Sequence, residues 1–230
     1  MPNTYFRFRQ FTVHQEKTAM KVCTDACLFG AWIAYATGNQ KIEKVLDIGA
    51  GTGLLSLMIA QGNEEQIDAV EIDDHAYVQA TENFAASPWN ARMKVHHCAI
   101  QEFEPGYKYN LVVSNPPFYD QSLRSPDSKK NVAMHSTRLD ATELFAAAKR
   151  LMPEGGRMAL LIPYSRVDAI EKIIKENAFY VEEKVLVKQT EKHSPFRCMY
   201  MLRDVFSGIE ERKMTVKDEE FTRLLKNYYL

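Results

Sequence analysis

Asn115-Pro116-Pro117-Phe118 is the stretch of this chain whose residue types best suit chemistry on an amino group. An exocyclic amine on an aromatic ring is a poor nucleophile, because its lone pair is delocalised into the ring. A site that activates it must hold the NH2 with acceptors that favour a more pyramidal nitrogen. The Asn115 side-chain oxygen and the Pro116 carbonyl supply two such acceptors. The prolines remove backbone donors and restrict φ, which fixes the carbonyls, and Phe118 offers a flat face for a target ring. Catalysis by such a group is mostly positioning. A strand ending in a proline-rich turn has the same look, so the tetrapeptide gains its meaning from what precedes it.

What precedes it is a nucleotide-binding pattern. Val45-Leu46-Asp47-Ile48-Gly49-Ala50-Gly51-Thr52-Gly53-Leu54 reads as a buried strand running through three glycines into a helix. Glycines let backbone approach a ligand closely, and the helix start offers unpaired N–H groups. Glu71 follows Gly51 by twenty residues, the spacing at which an acid reaches a ribose and accepts from its hydroxyls. A nicotinamide dehydrogenase is the natural rival. Its glycines are spaced GxGxxG rather than GxGxG, and Asp47 just before the turn would repel a pyrophosphate while suiting a cationic or amino-bearing ligand.

The elements that must position these residues alternate in type. Strand-like runs fall near 44–49, 66–71, 93–97, 109–114 and 157–162, with helix-period segments at about 53–62, 75–86, 140–151 and 166–177. That alternation predicts a parallel sheet covered by helices, with the ligand crevice at the carboxyl ends of the strands, where Asn115 follows the fourth. Val181 to Lys188 and Arg197 to Phe206 lack a helix between them and predict an antiparallel pair at one sheet edge. Phe6 to Val13 reads as a short strand or extended arm, and Asp218 to Tyr229 as a short amphipathic helix.

At 230 residues, with 46% hydrophobic and 26% charged, the chain fits a single globular domain. Its apolar runs, such as Met158 to Ile162, fall far short of the roughly 20 residues that cross a bilayer, and no signal-peptide core follows Met1, so a cytoplasmic protein is expected. Four cysteines, at 23, 27, 98 and 198, show no zinc spacing and are expected as free thiols; no metal is expected, at His96 and His97 either. Net charge is −1, so a nucleic acid would have to meet local basic clusters. Three stand out: Arg7 with Arg9, Arg124 with Lys129 and Lys130 in the loop that starts at Tyr119, and Lys184, Lys188 and Lys192 with Arg197. His135 beside a helix start reads as structural.

The glycine turn joined to Asn-Pro-Pro-Phe resembles class I S-adenosylmethionine-dependent methyltransferases of the amino-methylating group. Phe8-Arg9-Gln10-Phe11, Ala19-Met20-Lys21-Val22-Cys23-Thr24-Asp25 and Leu28-Phe29-Gly30-Ala31-Trp32 are similar to the bacterial tRNA1(Val) adenine N6-methyltransferase family, over most of the chain. Cys23 stands where that family usually has Gly, and Ala99-Ile100 where many methyltransferases place an acid near the cofactor adenine.

The resemblance implies a Rossmann-like α/β fold, with a seven-stranded, mostly parallel sheet whose last strand is antiparallel. It implies an N-terminal arm and cofactor-lid segment over 1–35 and a methyltransferase domain over 36–230. S-adenosylmethionine would be the cofactor, with Thr24 and Asp25 beside its methionine moiety, Asp47, Gly49 and Gly51 around its amino-acid end, Glu71 on its ribose and Asn115 bordering it. Asn115, Pro116, Pro117 and Phe118 would hold the adenine of a tRNA anticodon loop. An unpaired loop base costs little to extrude. Arg7, Arg9, Tyr119, Arg124, Lys129, Lys130 and Arg197 are the expected RNA contacts. Guanine N2 or protein glutamine methylation shares the acceptor logic, and a non-catalytic, cofactor-binding RNA chaperone is the reading from another class.

Overall fold

The structure is a computed structural model, and it describes residues 3–38, 40–116 and 140–229. Five parallel strands occupy the expected runs: β3 (Lys44–Ile48), β4 (Gln66–Glu71), β5 (Met93–His97), β6 (Leu111–Ser114) and β7 (Arg157–Pro163). Between and after them come α2 (Leu54–Gly62), α3 (Asp74–Ala85), α4 (Ala141–Leu151) and α5 (Val167–Glu176). The chain then adds β8 (Tyr180–Lys188), β9 (Pro195–Arg203) and β10 (Glu210–Thr215) to the same sheet, in the order β10-β8-β9-β7-β6-β3-β4-β5. β9 runs antiparallel to β7 and β8; the other pairs are parallel.

The seventh strand of this sheet in chain order, β9, is the antiparallel one, as expected. Two points differ from the sequence reading: the described sheet has eight strands rather than seven, and the antiparallel pair does not form its edge. β10 covers it, pairing with β8 from Glu210↔Glu183 to Thr215↔Lys188. Its sequence Glu-Glu-Arg-Lys-Met-Thr buries only Met214, so it carries no apolar alternation, and its charges suit an edge that must not pair further.

Period-2 alternation in the strands divides the core into two layers. Val45, Val113, Ala159 and Met199 pack with α1 (Thr24–Thr37), α2 and α6 (Glu219–Leu225); Leu46, Val112, Leu160 and Tyr200 pack with α4 and α5. α1 has no counterpart among the predicted helices. Ten of its 14 residues are buried, including Phe29 and Trp32, so it lacks the polar face that a helical period would reveal. It lies close on α2: a Cβ at Gly30 would stand 2.8 Å from the Met58 sulfur. The arm is a separate hairpin, β1 (Tyr5–Arg7) with β2 (Thr12–His14), whose Phe8 and Phe11 rings stack at 4.5 Å and join the α1–α2 layer of the core.

Candidate active site

The site is assembled at the carboxyl ends of β3, β4 and β6. Asp47 pairs with Ala69 on one side and Val113 on the other, which brings the glycine turn after β3 level with Asn115 after β6. Ser114 ties the two ends together, its hydroxyl donating to the Ile48 carbonyl at 2.8 Å. Pro116 is buried and Asn115 half-buried beside it. Pro117, Phe118, Tyr119, Arg124, Lys129, Lys130 and His135 lie outside the described residues.

Asp47 is fully buried. Its Oδ2 accepts from the Ser56 hydroxyl at 2.7 Å, while Oδ1 has no hydrogen-bond partner among the described residues. Burial raises its pKa to about 6; Ser56 partly offsets this and the nearby Glu71 carboxylate adds to it. A buried acceptor in this state favours a ligand that brings N–H donors or positive charge. Gly49 and Gly51 have φ of 74° and 58°, a conformation side chains resist, and a Cβ on either would meet nothing within 4 Å among the described residues. The turn therefore faces open space at the site, with room for backbone-to-ligand contact.

Glu71 has a structural task besides any contact with ribose. Its Oε2 accepts from Gly51 N at 2.8 Å, and its Oε1 from Ile72 N and Asp73 N at 2.8 and 2.9 Å. A carboxylate has about four acceptor positions, so one is spent on holding the glycine turn to β4, two on the backbone that follows β4, and one remains. The segment carrying Ala99-Ile100 forms a short 3-10 turn, pinned by Arg150, which donates to the Ile100 and Phe103 carbonyls at 2.7 and 2.8 Å.

The N-terminal candidates are placed at the start of α1. Thr24 is exposed, and Asp25, half-buried beside it, accepts from Arg197 Nε at 2.5 Å. Burial works against ionising Asp25, but hydrogen bonds from the Cys23 thiol and Arg197 outweigh it and hold the carboxyl below its usual range. Two residues expected in different roles, Asp25 for the cofactor and Arg197 for RNA, thus form one ion pair. Arg7 is exposed, while Arg9 is tied through its backbone and side chain to the carbonyls of Tyr228 and Tyr229. Two lysines of the β8–β9 cluster are paired with acids: Lys184 lies 2.9 Å from Glu171 and 3.4 Å from Glu211, and Lys188 lies 3.8 Å from the Glu191 carboxylate.

Three supporting residues had no signal in the sequence. Ser56 holds Asp47. Arg150 pins the 99–103 turn. Asn83, almost completely buried in α3, bonds to Thr52 in the glycine turn and to both backbone groups of His14 in the arm. All four cysteines are free, and among the described residues no group of three His, Cys, Asp or Glu could hold a metal and no helix is long and apolar enough to cross a membrane.

The sheet order is that of class I methyltransferases, and residues 33–193 match the methyltransferase small domain family. Solved structures share the fold: TYW2 of Pyrococcus horikoshii in complex with MeSAdo aligns with a TM-score of 0.61 at 15% identity, covering 86% of this chain and 70% of that one. The glycopeptide N-methyltransferase MtfA complexed with S-adenosyl-L-methionine aligns at 0.54 and 14%, covering 78% and 94%. Relatives in sequence are more specific. The tRNA1(Val) (adenine(37)-N6)-methyltransferase of Dyadobacter fermentans is 39% identical over 99% of this chain and 98% of its own length. The protein of that name from Flavobacterium johnsoniae is 39% identical over 98% and 99%. The chain belongs to the tRNA1(Val) (adenine(37)-N6)-methyltransferase family.

Proposed function

We propose that this chain methylates N6 of an adenine in tRNA, the base 3′ of the anticodon in tRNA1(Val), using S-adenosylmethionine in the cytoplasm. The observation that carries the reading is the register of β3 with β6, which sets Asn115 and Pro116 beside the glycine turn and its buried, unpartnered Asp47 oxygen. The residues present fit the cofactor: Asp47 Oδ1 suits an ammonium, Glu71 has one acceptor position left for a ribose hydroxyl, and Gly49 and Gly51 leave space for close approach. Bound there, S-adenosylmethionine supplies an electrophilic methyl carbon.

The rest is done by the chain. Asn115 Oδ1 and the Pro116 carbonyl accept the two N6 hydrogens, which draws the lone pair out of conjugation and holds it for attack. Positive charge that develops on N6 during attack is stabilised by the same two oxygens until one N6 proton is released to solvent, and Phe118 stacks on the base. Arg7, Arg9, Tyr119, Arg124, Lys129 and Lys130 are the proposed RNA contacts, of which Arg7 is exposed on the arm.

Incubation with unmodified tRNA and labelled cofactor, followed by nucleoside analysis, is expected to yield N6-methyladenosine. Asn115→Ala is expected to lower kcat by about a hundredfold or more, the scale of losing one preorganised contact to the reacting group. Appearance of N2-methylguanosine or methylated glutamine instead, or full activity in Asn115→Ala, would overturn the reading.

A further inference from the structure

We infer that Arg197 is a positioning residue for the cofactor site, acting through Asp25, and that it does not spend its charge on RNA phosphate. The inference rests on the functional reading above and on the family resemblance, which implies Thr24 and Asp25 beside the methionine moiety of the cofactor. The segment from His14 to Asp25 is a strap fastened at both ends. At one end the Asn83 amide accepts from His14 N at 2.9 Å and donates to the His14 and Thr52 carbonyls at 2.8 and 2.9 Å, which locks the arm to the glycine turn. At the other, Arg197 Nε donates to Asp25 Oδ2 at 2.5 Å.

Between the anchors the strap is held by two buried side-chain amides, one its own and one from α3. Gln15, 4% exposed, accepts from Val22 N at 2.7 Å, and Gln79 of α3 accepts from Lys17 N at 3.1 Å. The far anchor stands on the sheet itself, because β9 is registered on β7 with Arg197 opposite Pro163, at the same carboxyl edge where β6 delivers Asn115. Arg197 thus fixes the first turn of α1 relative to the strands that carry the reaction. A guanidinium so engaged, with its Asp25 partner's side chain 12% exposed, has its charge already met.

The test uses the full chain with Arg197→Gln, Arg197→Lys, Asp25→Asn and the double variant Asp25→Asn/Arg197→Gln. S-adenosylmethionine affinity is measured by calorimetry, and tRNA affinity as a function of KCl concentration. Expected is about a tenfold loss of cofactor affinity in Arg197→Gln, the scale of one charged hydrogen bond, with partial rescue in Arg197→Lys. The double variant is expected to be no worse than the more affected single one. The slope of log affinity for tRNA against log salt should stay at its wild-type value. A slope shallower by about one with unchanged cofactor affinity would make Arg197 a phosphate contact and overturn the inference. Should Arg197→Gln fail to fold, Arg197→Lys and Asp25→Asn carry the same comparison. Failure of the wild-type chain to bind S-adenosylmethionine would sink the functional reading, whereas wild-type binding indifferent to Arg197 and Asp25 would sink this inference alone.

Discussion

Asp47, proposed above to bind the cofactor, is a buried acid kept at a cost to stability. Its carboxyl is buried with one oxygen unpartnered, and its pKa is raised from an ordinary value near 3.8 to about 6. Below about pH 4 both folded and unfolded chains hold the proton. Between about 4 and 6 the folded chain keeps it and the unfolded chain does not, so this group's contribution to stability falls as pH rises, and above 6 the full cost stands. That cost is on the order of 2–3 kcal/mol for a group this deeply buried. Asp47→Asn keeps an acceptor for Ser56 and removes the charge. The cofactor-free variant should therefore match wild type at pH 4 and exceed it at pH 8, measured by denaturant unfolding, while losing cofactor affinity. A stability difference that does not change with pH would refute the account. Asp47 and Glu71 could be singled out as candidates in the sequence because strand, turn and acid lie within one local pattern. Arg197 was legible only as a charge. Its partner is 172 residues away, and nothing local distinguishes a guanidinium bound by Asp25 from one awaiting a phosphate.

At the scale of elements, the glycine turn divides its residues between the open side of the site and the core. Gly49 and Gly53 share a positive φ, of 74° and 78°, yet a Cβ at Gly49 meets open space while one at Gly53 would lie 2.5 Å from the Phe84 ring. Gly49→Ala should cost only the left-handed strain, roughly 1–2 kcal/mol, and should weaken S-adenosylmethionine binding, because its methyl group occupies the space a ligand needs. Gly53→Ala adds a clash with a buried ring on α3 and should cost clearly more stability, read from denaturant midpoints of the two variants. Equal midpoints would contradict this division. The spacing GxGxG announced the turn but not which glycine faces which way, because that depends on how α3 packs. The same limit explains α1 and β10. The first is apolar nearly all round and the second polar nearly throughout, so neither shows the period that identified their neighbours, and each takes its form from the layer it joins.

For the molecule as a whole, the two chain ends meet on the α1–α2 layer. Arg9 bonds to the carbonyls of Tyr228 and Tyr229, Phe8 stacks on Tyr229 at 6.2 Å, and the Tyr228 hydroxyl donates to the Met58 carbonyl at 3.0 Å. The arm is thereby part of the packed body, and Arg7 is presented from a fixed hairpin. With a net charge of −1, attraction for RNA must come from such placed cations rather than from the overall field. The structure divides the basic residues accordingly: Lys184 is bracketed by Glu171 and Glu211, and its side chain is only 16% exposed, whereas Arg7 is exposed. Loss of one phosphate contact lowers the salt slope of tRNA affinity by about one, and loss of an internally paired lysine leaves it unchanged. Arg7→Ala should therefore give a shallower slope with an unaltered melting temperature. Lys184→Ala should leave the slope alone and destabilise the fold, because the partly buried Glu171, which also accepts from the Tyr200 hydroxyl at 3.0 Å, loses its cation. If instead Lys184→Ala flattens the slope and Arg7→Ala does not, tRNA lies across β8 and β10 and the arm has only a structural role.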